Sequence, residues 1–407
     1  MDLIRINIFI GSLTGGGAER VVSELISKPI QNAEITLELC TDEINRYSSG
    51  CAKVLVLEKQ LSQNKKSILS KITGGMTLFK IIMHYKNLKN NDIDVSVSFL
   101  KLENCVNMIV SKILGVPAVV SVRCNTNVCD TFETRKEYIV DNIINRLEGF
   151  LFRILSPYII VNSEDNKNWL IEKHKLDNEK CICIYNPKDI KNIHALSHAP
   201  VTESFFNTDD LILLNVGRLT SQKGHIHLLR IFSELRKVTP CKLVICGVGE
   251  LEESLKKLAI DLKINDLILF TGWTDNPYKY MQKADIFVFP SLYEGQPNAV
   301  IEALICGCPI VSADCDYGPR EILDGGKYGV LTKKLDGKIS DPINNPLTYA
   351  EKDMYNKLLY LLQNNDERIR LRKISAEQSL LFNKELMITK YCEVFRAAAE
   401  GKSINQI

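Results

Sequence analysis

Residues 285–311 read DIFVFPSLYEGQPNAVIEALICGCPIV. An apolar run from Asp285 ends at Pro290, and a second begins at Pro309. Between them Ala299, Val300, Ala303 and Leu304 recur at helical spacing. Strand, loop, helix and strand in that order form the repeating unit of a parallel sheet. Pro297 suits the first helical position, and Gly307, with Pro309 two residues on, marks the helix end. Asn298 and Glu302 then fall at i and i+4 on one helix face, while Glu294 lies in the loop beside the amides of Gly295 and Gln296. Open α/β sheets bind ligands at the carboxyl ends of their strands, and a helix N-terminus there favours an anionic phosphate. A lone glutamate on a helix is most often solvated or ion-paired. Here the helix has the pattern of a mostly buried one, so Glu302 needs a hydroxyl or cationic partner.

The same alternation extends through the chain and predicts two parallel sheets, each covered by helices on both faces. In the first half, strands fit LIRINIFI, ITLELC, KVLVLE, DVSVSFL, PAVVSV, YIIVNS and CICIYN. The segment Tyr185, Asn186, Pro187 breaks the rhythm, and a polar stretch runs on to Asp210. In the second half, LILLNVG, KLVICG, LILFTG, DIFVFP and PIVSA repeat it, with helices after Gly224, Gly249, Asn276 and Pro297. The last roughly fifty residues read as helical. The expected division is a first domain at 1–190, a second at 191–380 and a final helix at 381–407 packing back on the first domain.

Three further loops at predicted strand ends carry chemistry. GSLTGGGAER, Gly11 to Arg20, places three consecutive glycines before a helix, which lets backbone approach a ligand closely. The spacing is not that of the dinucleotide fingerprint, which argues against a nicotinamide oxidoreductase. Glu19 and Arg20 suit either a pair on the helix surface or substrate contact. VGRLTSQKG, Val216 to Gly224, brackets a loop with Arg218 and Lys223, so both cations can converge on one anion. DCDYGPREIL, Asp314 to Leu323, starts a short helix at Gly318 and Pro319, where Arg320 and Glu321 suit a local pair. Spacing alone gives this last loop no mechanism.

With 407 residues, 45% hydrophobic and 25% charged, the chain has the composition of an ordinary globular protein of two or three domains. The formal charge of +2 gives no electrostatic case for nucleic acid. Residues 1–195 hold 25 Lys and Arg against 22 Asp and Glu, and the remainder 26 against 27, so the basic lean is confined to the first half. There Lys65, Lys66, Lys71, Lys80, Lys86 and Lys89 share a predicted helix with Ile68, Leu69, Ile72, Leu78, Phe79 and Ile82. That pattern fits a solvated helix face, its commoner use, or contact with anionic headgroups. MDLIRINIFIG is too short in its apolar run for a secretory signal, and no run reaches the length of a membrane span. The expected location is the cytoplasm, with peripheral contact to the cytoplasmic face of the inner membrane as the alternative to a free protein. Thirteen cysteines without framework spacing are expected to be reduced core residues.

Taken together, GGGAER (Gly15 to Arg20), VGRLTSQKG, ICGVGE (Ile245 to Glu250) and the Glu294-x7-Glu302 element resemble the retaining glycosyltransferases of family 4, whose architecture is called GT-B. The resemblance spans nearly the whole chain. SFLKLEN (Ser98 to Asn104), SVRCN (Ser121 to Asn125), YNP (Tyr185 to Pro187) and GPREIL look like the bacterial subgroup that elongates lipid-linked oligosaccharides for surface polysaccharides and glycans. It implies two Rossmann-like parallel-sheet domains facing each other across a cleft, the first binding the acceptor and the second the nucleotide sugar.

Carried over by residue, the resemblance makes Arg218, Lys223 and Glu294 the catalytic set, the two cations on the donor diphosphate and Glu294 on the transferred sugar. Glu302 would bind ribose hydroxyls, and Gly217, Gly295 and the amides near Asn298 would complete the phosphate cradle. Trp273 and the turn from Gly247 to Glu250 are candidates for the base, and Gly15, Gly16 and Gly17 would close over the donor. Glu19, Arg20, Arg123 and Asn125 are the acceptor-side candidates. Many members place a His after the fifth strand of the first domain, and here Arg123 and Asn125 stand in that region, which leaves the sugar-side group open.

The reaction implied is transfer of a hexose or N-acetylhexosamine from a UDP-sugar to a lipid-diphosphate-linked saccharide, with retention and without metal or other cofactor. Fixed cations and helix amides that tighten on a departing diphosphate lower the barrier. A nucleotide-sugar 2-epimerase of the same fold would carry its own carboxylate and His set. A catalytically idle nucleotide-sugar binder is opposed by the intact Arg218, Lys223, Glu294 and Glu302.

Overall fold

The structure, a computed structural model, describes residues 3–14, 16–43, 48–61, 75–123, 135–336, 339–405 and 407. The chain forms two compact units, Met1–Pro187 with Lys384–Ile407, and Lys188–Asn383. In the first, β1 (Ile4–Ile10), β2 (Ala33–Leu39), β3 (Lys53–Val56), β4 (Val95–Phe99), β5 (Ala118–Val122), β6 (Tyr158–Val161) and β7 (Cys181–Cys183) make one parallel sheet in the order β3-β2-β1-β4-β5-β6-β7. Helices α1 (Gly17–Ile26), α2 (Gly75–Asn90), α3 (Lys101–Leu114), α4 (Arg135–Leu155) and α5 (Glu164–His174) connect and cover it. Because helices lie on both faces, β1 is buried along nearly its whole length instead of alternating.

The second unit begins with α6 (Ile190–Ser197). Its sheet, in the order β10-β9-β8-β11-β12-β13, comprises β8 (Leu211–Val216), β9 (Cys241–Cys246), β10 (Ile268–Gly272), β11 (Ile286–Phe289), β12 (Ile310–Ala313) and β13 (Val330–Thr332). The intervening helices are α7 (His225–Leu235), α8 (Glu252–Asp261), α9 (Tyr278–Lys283), α10 (Asn298–Ile305), α11 (Pro319–Ile322), α12 (Tyr349–Gln363) and α13 (Asn365–Ser379). The chain then returns to the first unit as α14 (Lys384–Ala399), which buries Met387, Tyr391, Val394, Phe395 and Ala398 in the same core as β1 and α1.

Several details depart from the sequence reading. The polar stretch before Asp210 contains α6, started by Asp189, whose side chain accepts from the Asn192 N–H. Strand β13 was absent from the expected set, its apolar run being Val330 and Leu331 alone. The units divide after Pro187 and Asn383, three residues from the expected 190 and 380. The reason is Lys188. Its N–H donates to the Phe382 carbonyl at 2.8 Å, it pairs as a parallel bridge with Asn383, and its side chain is buried within the second unit. Of the expected basic helix, α2 carries Lys80, Lys86 and Lys89, while Lys65, Lys66 and Lys71 lie outside the described residues. Lys80 turns inward to Glu103 at 2.9 Å and presents no free charge. Among the described residues none of the eleven cysteines forms a disulfide, and all but Cys51 and Cys392 are buried.

Candidate functional site

In the second sheet the chain runs outward in one direction from β8 through β9 to β10 and in the other through β11 to β13. The carboxyl ends of β8 and β11 therefore flank the point at which strand order reverses, the favoured ligand position in such sheets. The loops there are knitted through backbone. Gly217 N–H donates to Cys246 O at 3.0 Å, Leu219 N–H to Val248 O at 3.0 Å, and Leu292 N–H to Gln222 O at 2.9 Å. Gln222 Nε2 donates to Tyr293 O at 2.9 Å, and Glu294 N–H to Asp316 O at 3.3 Å. Gly247, at φ +145°, passes so close to Gly217 that any Cβ would collide with the Gly217 carbonyl. A Cβ on Gly318 would come within 2.6 Å of Pro297 Cδ and 2.8 Å of Gly295 O, so the loop after β12 seats the one after β11.

Lys223 ends a short 3-10 turn and its stem lies along Gly217, where a Cβ would come 3.6 Å from Lys223 Cγ and Cδ. Its ammonium sits 5.5 Å from the centre of the Phe289 ring and 2.5 Å from Glu294 Oε1. Glu294 is buried, so this ion pair is shielded from water and its charge-assisted hydrogen bond is strong. Arg218 is exposed; its carbonyl accepts from the Thr220 N–H at 2.9 Å, while its guanidinium makes no hydrogen bond or ion pair among the described residues. Both cations thus sit in one loop, but Lys223 is neutralised by Glu294 while Arg218 keeps its net charge. Next to Lys223, His225 is buried with Nε2 2.9 Å from Asn215 Oδ1. Burial, reinforced by Lys223, holds its imidazole down at about 4, so it is neutral near pH 7. The sequence reading passed over His225.

Helix α10 begins after Pro297, which occupies the capping position and not the first helical one, and no side chain caps it. Its leading amides are therefore the groups an anion would meet. One turn in, Glu302 is buried and accepts a hydrogen bond from Lys188 Nζ at 2.7 Å. This is the cationic partner that a carboxylate on a buried helix requires. The signal in the sequence was a lysine directly after the YNP turn, and it went unassigned. Gly295 and Gln296 are buried in the loop and Asn298 is half-buried.

Other candidates fall elsewhere. Trp273 follows β10, the edge strand, is exposed, and donates its indole N–H to Asp275 Oδ1 at 3.2 Å. Arg320 has a carboxylate partner other than the adjacent Glu321 of the sequence reading. It binds Asp314 with Nε at 3.1 Å, because Asp314 closes β12 and faces the first turn of α11. In the first unit, Gly16 and Gly17 are exposed at the start of α1, and the Glu19 carboxylate folds back over Gly16. Arg20 is half-buried on the same helix. Arg123 is committed within its own unit. It donates to Asn186 Oδ1 at 3.0 Å and to the Tyr391 hydroxyl, with its guanidinium over the Phe99 and Tyr391 rings, so it fastens α14 to the sheet. Gly15 and Asn125 lie outside the described residues.

Residues 201–373 match the family described as Glycosyl transferases group 1. A Campylobacter jejuni protein is 32% identical over 335 residues, 81% of this chain and 86% of that one. It is the N-acetylgalactosamine-N,N'-diacetylbacillosaminyl-diphospho-undecaprenol 4-alpha-N-acetylgalactosaminyltransferase. Among solved structures, a glycosyltransferase from Rickettsia africae shares the fold with a TM-score of 0.75 at 16% identity, over 99% of this chain and 100% of that chain. Anabaena HepE, solved in complex with UDP, shares it with a TM-score of 0.72 at 15% identity, over 97% of this chain and 100% of that chain.

Proposed function

This chain belongs to the group 1 glycosyl transferases, with the GT-B fold, and from that premise we propose that it moves a hexose or N-acetylhexosamine from a UDP-sugar to an undecaprenyl-diphosphate-linked saccharide. The observation that carries this reading is the Lys223–Glu294 pair at the switch point, beside the uncapped start of α10. A diphosphate arriving there competes with Glu294 for the Lys223 ammonium. Arg218 and the leading amides of α10 supply further positive potential, and no metal is needed to neutralise the leaving group. Released in part from Lys223, Glu294 is left to accept hydrogen bonds from hydroxyls of the transferred sugar. Glu302, fixed by Lys188, meets the ribose.

In the transfer step the bond from the anomeric carbon to the β-phosphate oxygen breaks and the acceptor hydroxyl oxygen forms its bond on the same face. The hydroxyl proton passes to the departing phosphate, so configuration is retained and no protein base is consumed. The donor nucleotide is supported by the UDP in HepE, and the acceptor and an N-acetylhexosamine by the name of the Campylobacter relative. The protein would meet such an acceptor at the cytoplasmic face of the inner membrane. Purified protein given a panel of UDP-sugars and extracted lipid-linked saccharides should extend an acceptor by one sugar. Nucleotide binding without transfer or donor hydrolysis across the panel would instead favour an idle binder.

A further inference from the structure

Helices α2, α3 and α4 form one layer over the first sheet, with α3 packed between the other two. The outer side of α4 is unusual. Ile139, Val140, Ile143, Leu147, Phe150 and Ile154 are all exposed, Ile143 by 60% and Phe150 by 55% of its surface. Positions 139, 143, 147, 150 and 154 follow helical spacing and so line one side. Arg146 and Arg153, seven residues apart and both exposed, run along one edge of that stripe. The opposite side is conventional, with Leu151 and Phe152 buried in the core under β5 and β6.

Among the described residues of α2, α3 and α4 the exposed charges have one sign, whereas α5, which also touches α4, exposes Glu164, Asp165 and Glu172 beside Lys173. Helix α2 contains no acidic residue and exposes Leu78 and Ile82 together with Lys86 and Lys89. On α3, Lys112 and Ile113 are exposed and the one acid, Glu103, is buried. On α4, Glu148 is buried and the half-buried Asp141 is neutralised by Lys101 at 2.9 Å. Among the described residues, then, the outer side of this layer offers apolar side chains and free cations without an exposed acid. A partner protein surface would be met by mixed charge, whereas an apolar stripe edged by Arg and Lys matches lipid tails below anionic headgroups. None of the three helices is long and apolar enough to cross a membrane.

We propose that α4 lies along the surface of an anionic bilayer, its apolar stripe sunk among the headgroups and Arg146, Arg153, Lys86 and Lys89 on lipid phosphates. The choice of a bilayer as occupant rests on the reading of a lipid-linked acceptor. The surface itself is separate from the nucleotide site in the second unit.

Flotation of the full-length protein with vesicles of phosphatidylcholine, with and without phosphatidylglycerol, tests this. The wild type should float with the anionic vesicles. Ile143→Glu with Phe150→Glu should lower the bound fraction about tenfold or more at both low and high salt. Arg146→Glu with Arg153→Glu should do so at low salt, where headgroup attraction is least screened. All four positions are exposed, so melting temperature and UDP binding should match the wild type and certify the fold. Wild-type flotation by both double variants overturns the proposal. So does a wild-type dimer that Ile143→Glu with Phe150→Glu splits while vesicle binding is unchanged, since the stripe would then be covered by a second copy. Transfer assayed in detergent separates the two readings: its failure with flotation intact removes the transferase, and its persistence with flotation absent removes the docking surface.

Discussion

The Lys188 ammonium lies 2.7 Å from Glu302 Oε1, and the side chains of both are almost wholly removed from water. The pair joins the first residue of the second unit to the helix that opens on the phosphate position. Lys188→Met leaves a buried carboxylate without its counter-charge, which typically costs about 3 to 5 kcal/mol. Denaturant unfolding should show that loss. Lys188→Met with Glu302→Met should recover most of it, because the apolar pair has no charge to desolvate. Additive losses in the double variant would show that the ion pair is not the source.

Gly247 and Gly272 both have positive φ, yet only Gly247 is crowded, by the Gly217 carbonyl, while nothing lies within 4 Å of a Cβ at Gly272. Gly272→Ala should cost only the left-handed conformation, about 1 to 2 kcal/mol. Gly247→Ala must also push the loops after β8 and β9 apart. It should therefore weaken UDP binding as well as stability, measured by calorimetry and thermal melting. Equal effects of the two substitutions would remove the argument that this approach shapes the site.

The sheets were legible because most of their strands are apolar runs bounded by turn residues, as in IRINIFI and LILLNV, and buried parallel strands need nothing else. The loops were legible for a related reason: glycines and cations stood where strands ended. Pairings across the chain were not. Lys188 and Glu302 are 114 residues apart, and Lys223 and Glu294 are 71 apart, so neither partner choice is visible in local spacing. The Arg320–Asp314 contact, six residues apart, is likewise set by the turn between β12 and α11 and not by adjacency. Strand β13 escaped because its apolar run is two residues, where the equally short β7 lies in the longer run Cys181 to Ile184, and the α4 stripe because exposure depends on which neighbours pack.

Glu148 on α4 is buried and accepts from Asn104 Nδ2 at 2.9 Å, and burial pushes its carboxyl up to about 7 from an ordinary 4.5. The unfolded chain releases that proton near 4.5 and the folded chain only near 7. Between those values the native state holds the extra proton, so stability falls as pH rises through this window. Glu148→Gln keeps an acceptor for Asn104 and removes the titration. Denaturant melts should show the variant gaining on the wild type at pH 8 and matching it near pH 4. A gain of equal size at both pH values would contradict the assignment.

The central claim is that Lys223, held by Glu294 until a donor arrives, stabilises the departing diphosphate. It is tested most directly by transfer from a UDP-sugar to an undecaprenyl-diphosphate-linked saccharide, comparing wild type with Lys223→Ala and following UDP affinity in parallel. Loss of a charge-assisted contact of roughly 1.5 to 3 kcal/mol predicts turnover lower by about ten- to a hundredfold, with a smaller change in UDP affinity. Wild-type turnover in Lys223→Ala would contradict it.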